Sequence, residues 1–330
     1  MEEYKKYSVK KEALAISIAL ASYDLSIEGC KGDEVIIQTD DKETADKRLT
    51  ISMEGKELRI MEDSGISFGR YEGELVLRIP LKKQYSGECK IASGDVEIKN
   101  ISYNGIIKSA SGDIAIESLK GDIEIGTTSG DIELNDIEGN ANIHSMSGDI
   151  EINDGTIYSM DIAATSGDIS FCGKLLLKKD CFIKSVSGDI ELDISNAENL
   201  LIESKTLSGD VEIEGDYSVS KEDKNGYKHL SLTTVSGDIN IELGEDCKNV
   251  YATTVKARDS FHRAGHGIFD RMIHDGVHRT IDEAVKRAPR GVEIVENEEP
   301  SRTEHISRIL KMLEDGKVNA EQARELIDAL

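Results

Sequence analysis

The tripeptide Ser-Gly-Asp recurs eight times, beginning at Ser93, Ser111, Ser129, Ser147, Ser166, Ser187, Ser208 and Ser236. The intervals are 18, 18, 18, 19, 21, 21 and 28 residues. A short fixed period means one supersecondary unit that buries its apolar face only by stacking on its neighbours. A half-period is also present, because Gly112, Gly121, Gly130, Gly139 and Gly148 lie nine residues apart. Two and four residues after these glycines stand Ile114 and Ile116, Ile123 and Ile125, Ile132 and Leu134, Ala141 and Ile143, and Ile150 and Ile152. Ala115, Glu124, Glu133, Asn142 and Glu151 lie between the members of each pair. That is the in-out-in alternation of a short β-strand. A third apolar position, seven after the glycine, holds Leu119, Ile137 and Met146, with Thr128 as the exception.

Glycine can supply a corner of positive φ, and the following aspartate can bond turn amides. Each nine-residue SGD[IV]x[IL]-type unit is therefore expected to give one strand and one corner, and two units one coil of about 18 residues. Constant columns predict parallel, in-register stacking, a mainly β parallel β-solenoid. Successive corners would then stand about 4.8 Å apart, so that eight coils span about 38 Å. A propeller fits less well, because its blades repeat near 40 to 50 residues. The longer intervals read as corner insertions. The largest, Asp216 to His229 with Asn225-Gly226, reads as an exposed loop.

The expected organisation is a β region and solenoid cap over residues 1–80, the SGD solenoid over 81–250, a basic amphipathic helix over 251–290, an acidic linker over 291–300 and a helical hairpin over 301–330. Ala13 to Ala21 follows two lysines and ends in Ala-Leu-Ala, as a signal-peptide core would. The acidic start Met1-Glu2-Glu3 and the alternation Leu14, Ile16, Ile18, Leu20 favour a strand instead. From Lys256 to Arg290 the period becomes helical, with eight Lys and Arg against five Asp and Glu in a chain of net charge -24. Arg258, Phe261, Arg263, Ile268, Arg271, Met272, Arg279, Lys286 and Arg287 form the candidate contact face for an anionic membrane surface or an acidic partner. The competing reading is a helix that caps the end of the solenoid. His262 with His266, and His274 with His278, are spaced i, i+4. A solvated polar face is favoured over a metal pair or a pH-sensitive contact, since no further cysteine or glutamate ligand stands nearby. The final residues pair Ile306, Ile309, Leu310 and Leu313 with Ala323, Leu326, Ile327 and Leu330 across Asp315-Gly316-Lys317. Thirty residues bury too little to stand alone, so this hairpin is expected to dock, with self-association one outcome.

The acidic excess argues against nucleic acid as a partner. Five cysteines without a C-x-x-C pair suggest reduced, mostly buried thiols and no zinc or disulfide framework. No run of 18 apolar residues marks a transmembrane helix. No P-loop, dinucleotide fingerprint, metalloprotease or nucleophile-elbow motif is present, so no catalytic residue, metal or cofactor is assigned. The candidate binding feature is the aspartate ladder of Asp95, Asp113, Asp131, Asp149, Asp168, Asp189, Asp210 and Asp238, expected along one edge. Two readings stand: each aspartate caps its own turn, or together they form an anionic stripe for divalent cations or cationic peptides.

The tandem S-G-D-[IV]-x-[IL] units over about residues 12–250 resemble the bacterial β-strand-repeat "putative adhesin" family (DUF4097-like), which includes LiaX- and YvlB-like proteins. Ile309 to Ala323 is similar to the short SHOCT-like helical module of the same proteins. The resemblance implies a non-enzymatic regulator or sensor of the Gram-positive envelope-stress response. Its ligands would be other proteins or cationic antimicrobial peptides. The expected location is cytoplasmic or peripheral to the membrane, with an exported adhesin or envelope structural protein as the alternative.

Overall fold

The computed structural model describes residues 1–9, 13–63, 73–219 and 226–256. Of the helix expected over 251–290, residues 251–256 are strand instead, the end of Lys248–Lys256; its remainder, the linker and the hairpin lie outside the described residues, as do all nine residues of the candidate membrane or partner face. Within them the chain is mainly β and winds as a parallel solenoid. Ile114–Lys120 pairs in register with Val96–Ser111 on one side and Ile132–Ser145 on the other. The offset in each pairing is 18 residues, as in Ile114 against Ile132 and Val96. The isoleucines of the two strand columns fill the core: Ile116, Ile125, Leu134, Ile143 and Ile152 are all at most 1 % exposed. Each stacked side chain meets its counterpart above and below, which is how a thin coil reaches core-like burial.

The corners divide the labour differently from the expectation. At the Ser-Gly-Asp corner, Gly130 has φ +116, and a Cβ there would stand 2.3 Å from the carbonyl oxygen of Gly112 in the adjoining coil. The glycine is thus demanded twice, by its dihedral and by the closeness of the stack. Of the half-period glycines, Gly121 has φ +141 and stands between Ile114–Lys120 and Ile123–Thr127 as a corner would, whereas Gly139 does not have positive φ and the strand Ile132–Ser145 runs straight through it. The left-handed residue of this part of the coil is six after the corner glycine: Asn100, Ser118, Asp136 and Asp154, all with φ of 53 to 55°. Asn and Asp tolerate that region because their short side chains bond locally.

The third inward position of the second half-coil is also displaced. It is not Met146, which is half-buried, nor Thr128, which is exposed, but the residue before each. Ser109, Thr127 and Ser145 are buried there, and their hydroxyls donate to the carbonyls of Ser111, Ser129 and Ser147 at 3.1 Å. A small hydroxyl fits the narrowing interior beside the corner and satisfies a carbonyl there.

Coil order departs from chain order at both ends. Near the C-terminus, Lys228–Ser236 and Ile239–Leu243 insert between the coil of Cys181–Ser187 with Ile190–Ser195 and the coil of Glu198–Ser208 with Val211–Glu214. The 28-residue interval is therefore a return path, not a plain corner insertion. In the loop expected from Asp216 to His229, Asp216 to Val219 is exposed and Ser218 bridges to Tyr251, but Tyr227 and Lys228 are half-buried and the strand Lys228–Ser236 has already begun. Lys248–Lys256 then adds to the far side of Glu198–Ser208. At the other end, Ala13–Leu20 pairs parallel with both Glu57–Glu62 and Gln84–Ser93, so this segment is an interior strand. Tyr23–Cys30 likewise lies between Gly73–Pro80 and Val96–Ser111. Beyond them, Glu34–Thr39 pairs antiparallel with Gly73–Pro80 and Leu49–Glu54 antiparallel with Glu57–Glu62, and Glu2–Ser8 adds antiparallel to Glu34–Thr39. The helix Lys42–Arg48 joins Glu34–Thr39 to Leu49–Glu54, and its N-terminal amides are capped by Asp41. Antiparallel strands on a parallel stack end its ladder, which blunts the edge against further pairing.

A buried ion pair ties this end together. Arg48 and Glu62 meet at 2.6 Å with side chains 11 % and 2 % exposed. Glu62 also accepts from the backbone N–H of Ala21 and of Ser22 and from the Ser22 hydroxyl, so its lone pairs are satisfied. Of the five cysteines, all free, Cys89 and Cys181 are buried, Cys30 and Cys247 half-buried, and Cys172 exposed.

Candidate functional site: an acidic corner ladder

All eight predicted aspartates fall on one edge, and each is exposed. They are joined by a single chain of hydrogen bonds. The N–H of Asp113 donates to Oδ1 of Asp95, that of Asp131 to Asp113, and that of Asp149 to Asp131, at 2.8 to 2.9 Å. The chain continues through Asp168 and Asp189 to Asp238 and then to Asp210, at 2.7 to 2.8 Å. The carboxylates of Asp95, Asp113, Asp131, Asp149, Asp168, Asp189 and Asp238 thus each cap the corner of the next coil rather than their own. The order 189, 238, 210 follows the swapped coils, not the sequence.

A ninth member went unread in the sequence. Asp24 Oδ1 accepts from the N–H of Asp95 at 2.9 Å. Its corner is Ser22-Tyr23-Asp24, where a tyrosine buried to 0 % exposure replaces glycine. The signal was there as S-x-D, hidden by the demand for glycine. Asp122 and Asn140 form a shorter second ladder with Asn104: the N–H of Asp122 donates to Asn104 Oδ1 and that of Asn140 to Asp122 Oδ1.

At the N-terminal end of the long ladder a shallow groove of about 540 Å³ opens. Asp24, Asp40, Glu74, Asp95, Glu97 and Asp113 line it, together with Leu25, Ser26, Gly73, Val96 and Ala115. No lysine or arginine is among these residues. Two acids are engaged locally. Glu97 pairs with Lys99 at 2.6 Å, and Asp40 Oδ1 accepts from the N–H of Glu74 at 3.2 Å. Asp40 and Glu74 reach the groove only because Tyr23–Cys30 is inserted between Gly73–Pro80 and the first repeat coil, a pairing that sequence spacing does not reveal.

The ladder uses Oδ1 of Asp24 and of every predicted aspartate but Asp210 internally and leaves their Oδ2 outside it. Unit charges one coil apart, about 4.8 Å, repel by about 0.9 kcal/mol even at the dielectric of water. An edge of this kind concentrates negative potential and attracts cations over about a Debye length. Among the described residues, no three His, Cys, Asp or Glu side chains converge as a metal site would require. No helix among them is long and apolar enough to cross a membrane.

Residues 304–330 match a SHOCT-like domain. No curated protein matches the chain. Several solved structures are similar. A "putative adhesin" from Bacteroides fragilis is 16% identical over 73% of this chain and 95% of its own, with a TM-score of 0.45. A "putative lipid binding protein" from Parabacteroides distasonis is 18% identical over 72% of this chain and 96% of its own, with a TM-score of 0.31. A "putative cell adhesion protein" from Clostridium sporogenes is 13% identical over 73% and 98%, with a TM-score of 0.25. The family model that covers the repeat matches residues 15–242, and the chain belongs to the Toastrack DUF4097 family.

Proposed function

We propose that this protein is a non-enzymatic binding and scaffold protein whose acidic corner edge takes cationic, peptide-like ligands. The observation that carries this reading is the groove of six carboxylates with no basic residue in its lining, continuous with the long ladder. Short cationic peptides suit it because lysine and arginine side chains can bond the outer carboxylate oxygens at the coil spacing while the strand edge stays rigid. The setting we infer, from the resemblance of the repeat units to LiaX- and YvlB-like proteins, is a sensor or regulator of the Gram-positive envelope-stress response.

The test is a titration of the full chain with hexa-arginine at low and at physiological salt. Binding is expected to weaken steeply with salt. In a variant carrying Asp40→Asn, Glu74→Gln and Asp95→Asn it should weaken at least tenfold. Equal affinity for wild type and variant would sink the groove as the site. The setting is tested separately by fractionating cells before and after challenge with a cationic envelope-active peptide. Movement from cytosol to membrane supports a sensor, whereas constant presence in the medium or on the surface favours an exported adhesin.

A further inference from the structure

The two ends of the stack are built differently. The N-terminal end is closed by antiparallel strands and a helix. At the C-terminal end, Val211–Glu214 pairs only with Ile239–Leu243 among the described residues. Its inward side chains Val211 and Ile213 are half-buried, whereas Ile239 and Ile241, one rung inward on the same columns, are 0 % and 2 % exposed. On the other face Lys248–Lys256 is outermost. Its outer side is met at a single bridge, where the N–H of Ser218 donates to Val250 and that of Ala252 to Ser218. Tyr217 and Val219 beside it are 40 % and 78 % exposed. The apolar core therefore runs out into solvent next to a parallel strand edge, which invites a cover.

We propose that residues 257–288 of this same chain cover that end, laying the apolar stripe of Phe261, Ile268 and Met272 over Val211 and Ile213. Three observations select this occupant. The strand that ends at Lys256 is the outermost on its face, so the next residue starts at the open edge. The stripe has the helical period and matches the end in character. The charges are complementary: Glu212, Glu214 and Asp216 are exposed at this end, while residues 256–290 carry eight Lys and Arg against five Asp and Glu. A second copy would bring the same acids to the same place in a chain of net charge -24 and be repelled. Direct chain linkage also gives the intramolecular occupant a high effective concentration.

Hydrogen exchange read by mass spectrometry tests this on the full chain. The variant Phe261→Asp, Ile268→Asp, Met272→Asp is compared with wild type in the absence of lipid. The amides of 211–214 are expected to exchange at least tenfold faster in the variant, with 114–120 and 132–145 unchanged. Unchanged exchange at 211–214 overturns the proposal. So does protection in wild type that vanishes on dilution, which would mean a second copy, or that appears only with anionic phosphatidylglycerol vesicles, which would mean a membrane. A second measurement is independent of the triple variant. Benzoylphenylalanine placed at the exposed position Val219 should photo-cross-link within its own chain to residues 257–288. Adducts only to another copy, or only to other parts of the chain, overturn the proposal.

Discussion

The swapped coil order makes a quantitative prediction about charge coupling. Asp189 and Asp238 are adjacent rungs, since the N–H of Asp238 donates to Asp189 Oδ1 at 2.7 Å. Asp189 and Asp210 are two rungs apart, with Asp238 between them. At about 10 mM salt and the dielectric of water, adjacent carboxylates about 4.8 Å apart repel by about 0.7 kcal/mol. At twice the separation the repulsion is about 0.3 kcal/mol. Asparagine keeps an oxygen acceptor for the next coil's amide and removes the charge, so Asp→Asn replacements isolate this repulsion. In a double-mutant cycle, Asp189→Asn and Asp238→Asn together should stabilise by about 0.7 kcal/mol less than the sum of the singles, because the shared repulsion is relieved only once. For Asp189→Asn with Asp210→Asn the shortfall should be about 0.3 kcal/mol, and both should shrink at 150 mM salt. Urea unfolding of the three variants and wild type in each cycle provides the free energies. A larger coupling for the 189–210 pair than for the 189–238 pair would refute the coil order, whatever the absolute values.

Three further outcomes follow from the packing. Gly130→Ala should cost at least about 2 kcal/mol in urea unfolding, because φ is +116 and the new Cβ would meet the Gly112 carbonyl oxygen at 2.3 Å; a loss below about 0.5 kcal/mol would contradict that closeness. Arg48→Met should lower stability by about 3 to 5 kcal/mol by stranding the Glu62 carboxylate at 2 % exposure, read by thermal or urea melts, while joint replacement with Glu62→Leu recovers most of it. Burial pushes the Cys89 thiol up to about 12 and the Cys181 thiol up to about 11. A raised thiol pKa keeps the native state protonated while the unfolded chain ionises, so stability is full below the unfolded thiol value and falls above about pH 8.5. The fall should reach about 1.4 kcal/mol per pH unit for each such thiol, and Cys89→Ala with Cys181→Ala should flatten the pH profile of the urea midpoint in that range.

The sequence by itself determined the repeat unit, the strand columns and the edge on which the aspartates stand. These follow from local rules: alternate residues face alternate sides, and a corner glycine recurs wherever the chain must turn against a close neighbour. The same rules placed Leu119 and Ile137 in the core of the first half-coil but missed the third inward position of the second. Met146 is the apolar residue, but the residue pointing inward is Ser145, because the strand arrives at the corner one residue earlier than counting by nines predicts. Sequence also hid the Asp24 rung, whose corner carries Tyr23 where the repeat has glycine, and the pairing of Arg48 with Glu62, which depends on where the capping strands fold back. Coil order was decided only by the tertiary structure. Every Ser-Gly-Asp corner offers the next coil the same surface, a bare glycine, a carbonyl and one carboxylate oxygen, so any corner can stack on any other. What places Asp238 between Asp189 and Asp210, and Ala13–Leu20 inside the stack, is the path of the connections and the burial gained when each strand finds two neighbours, and no short stretch of sequence encodes either.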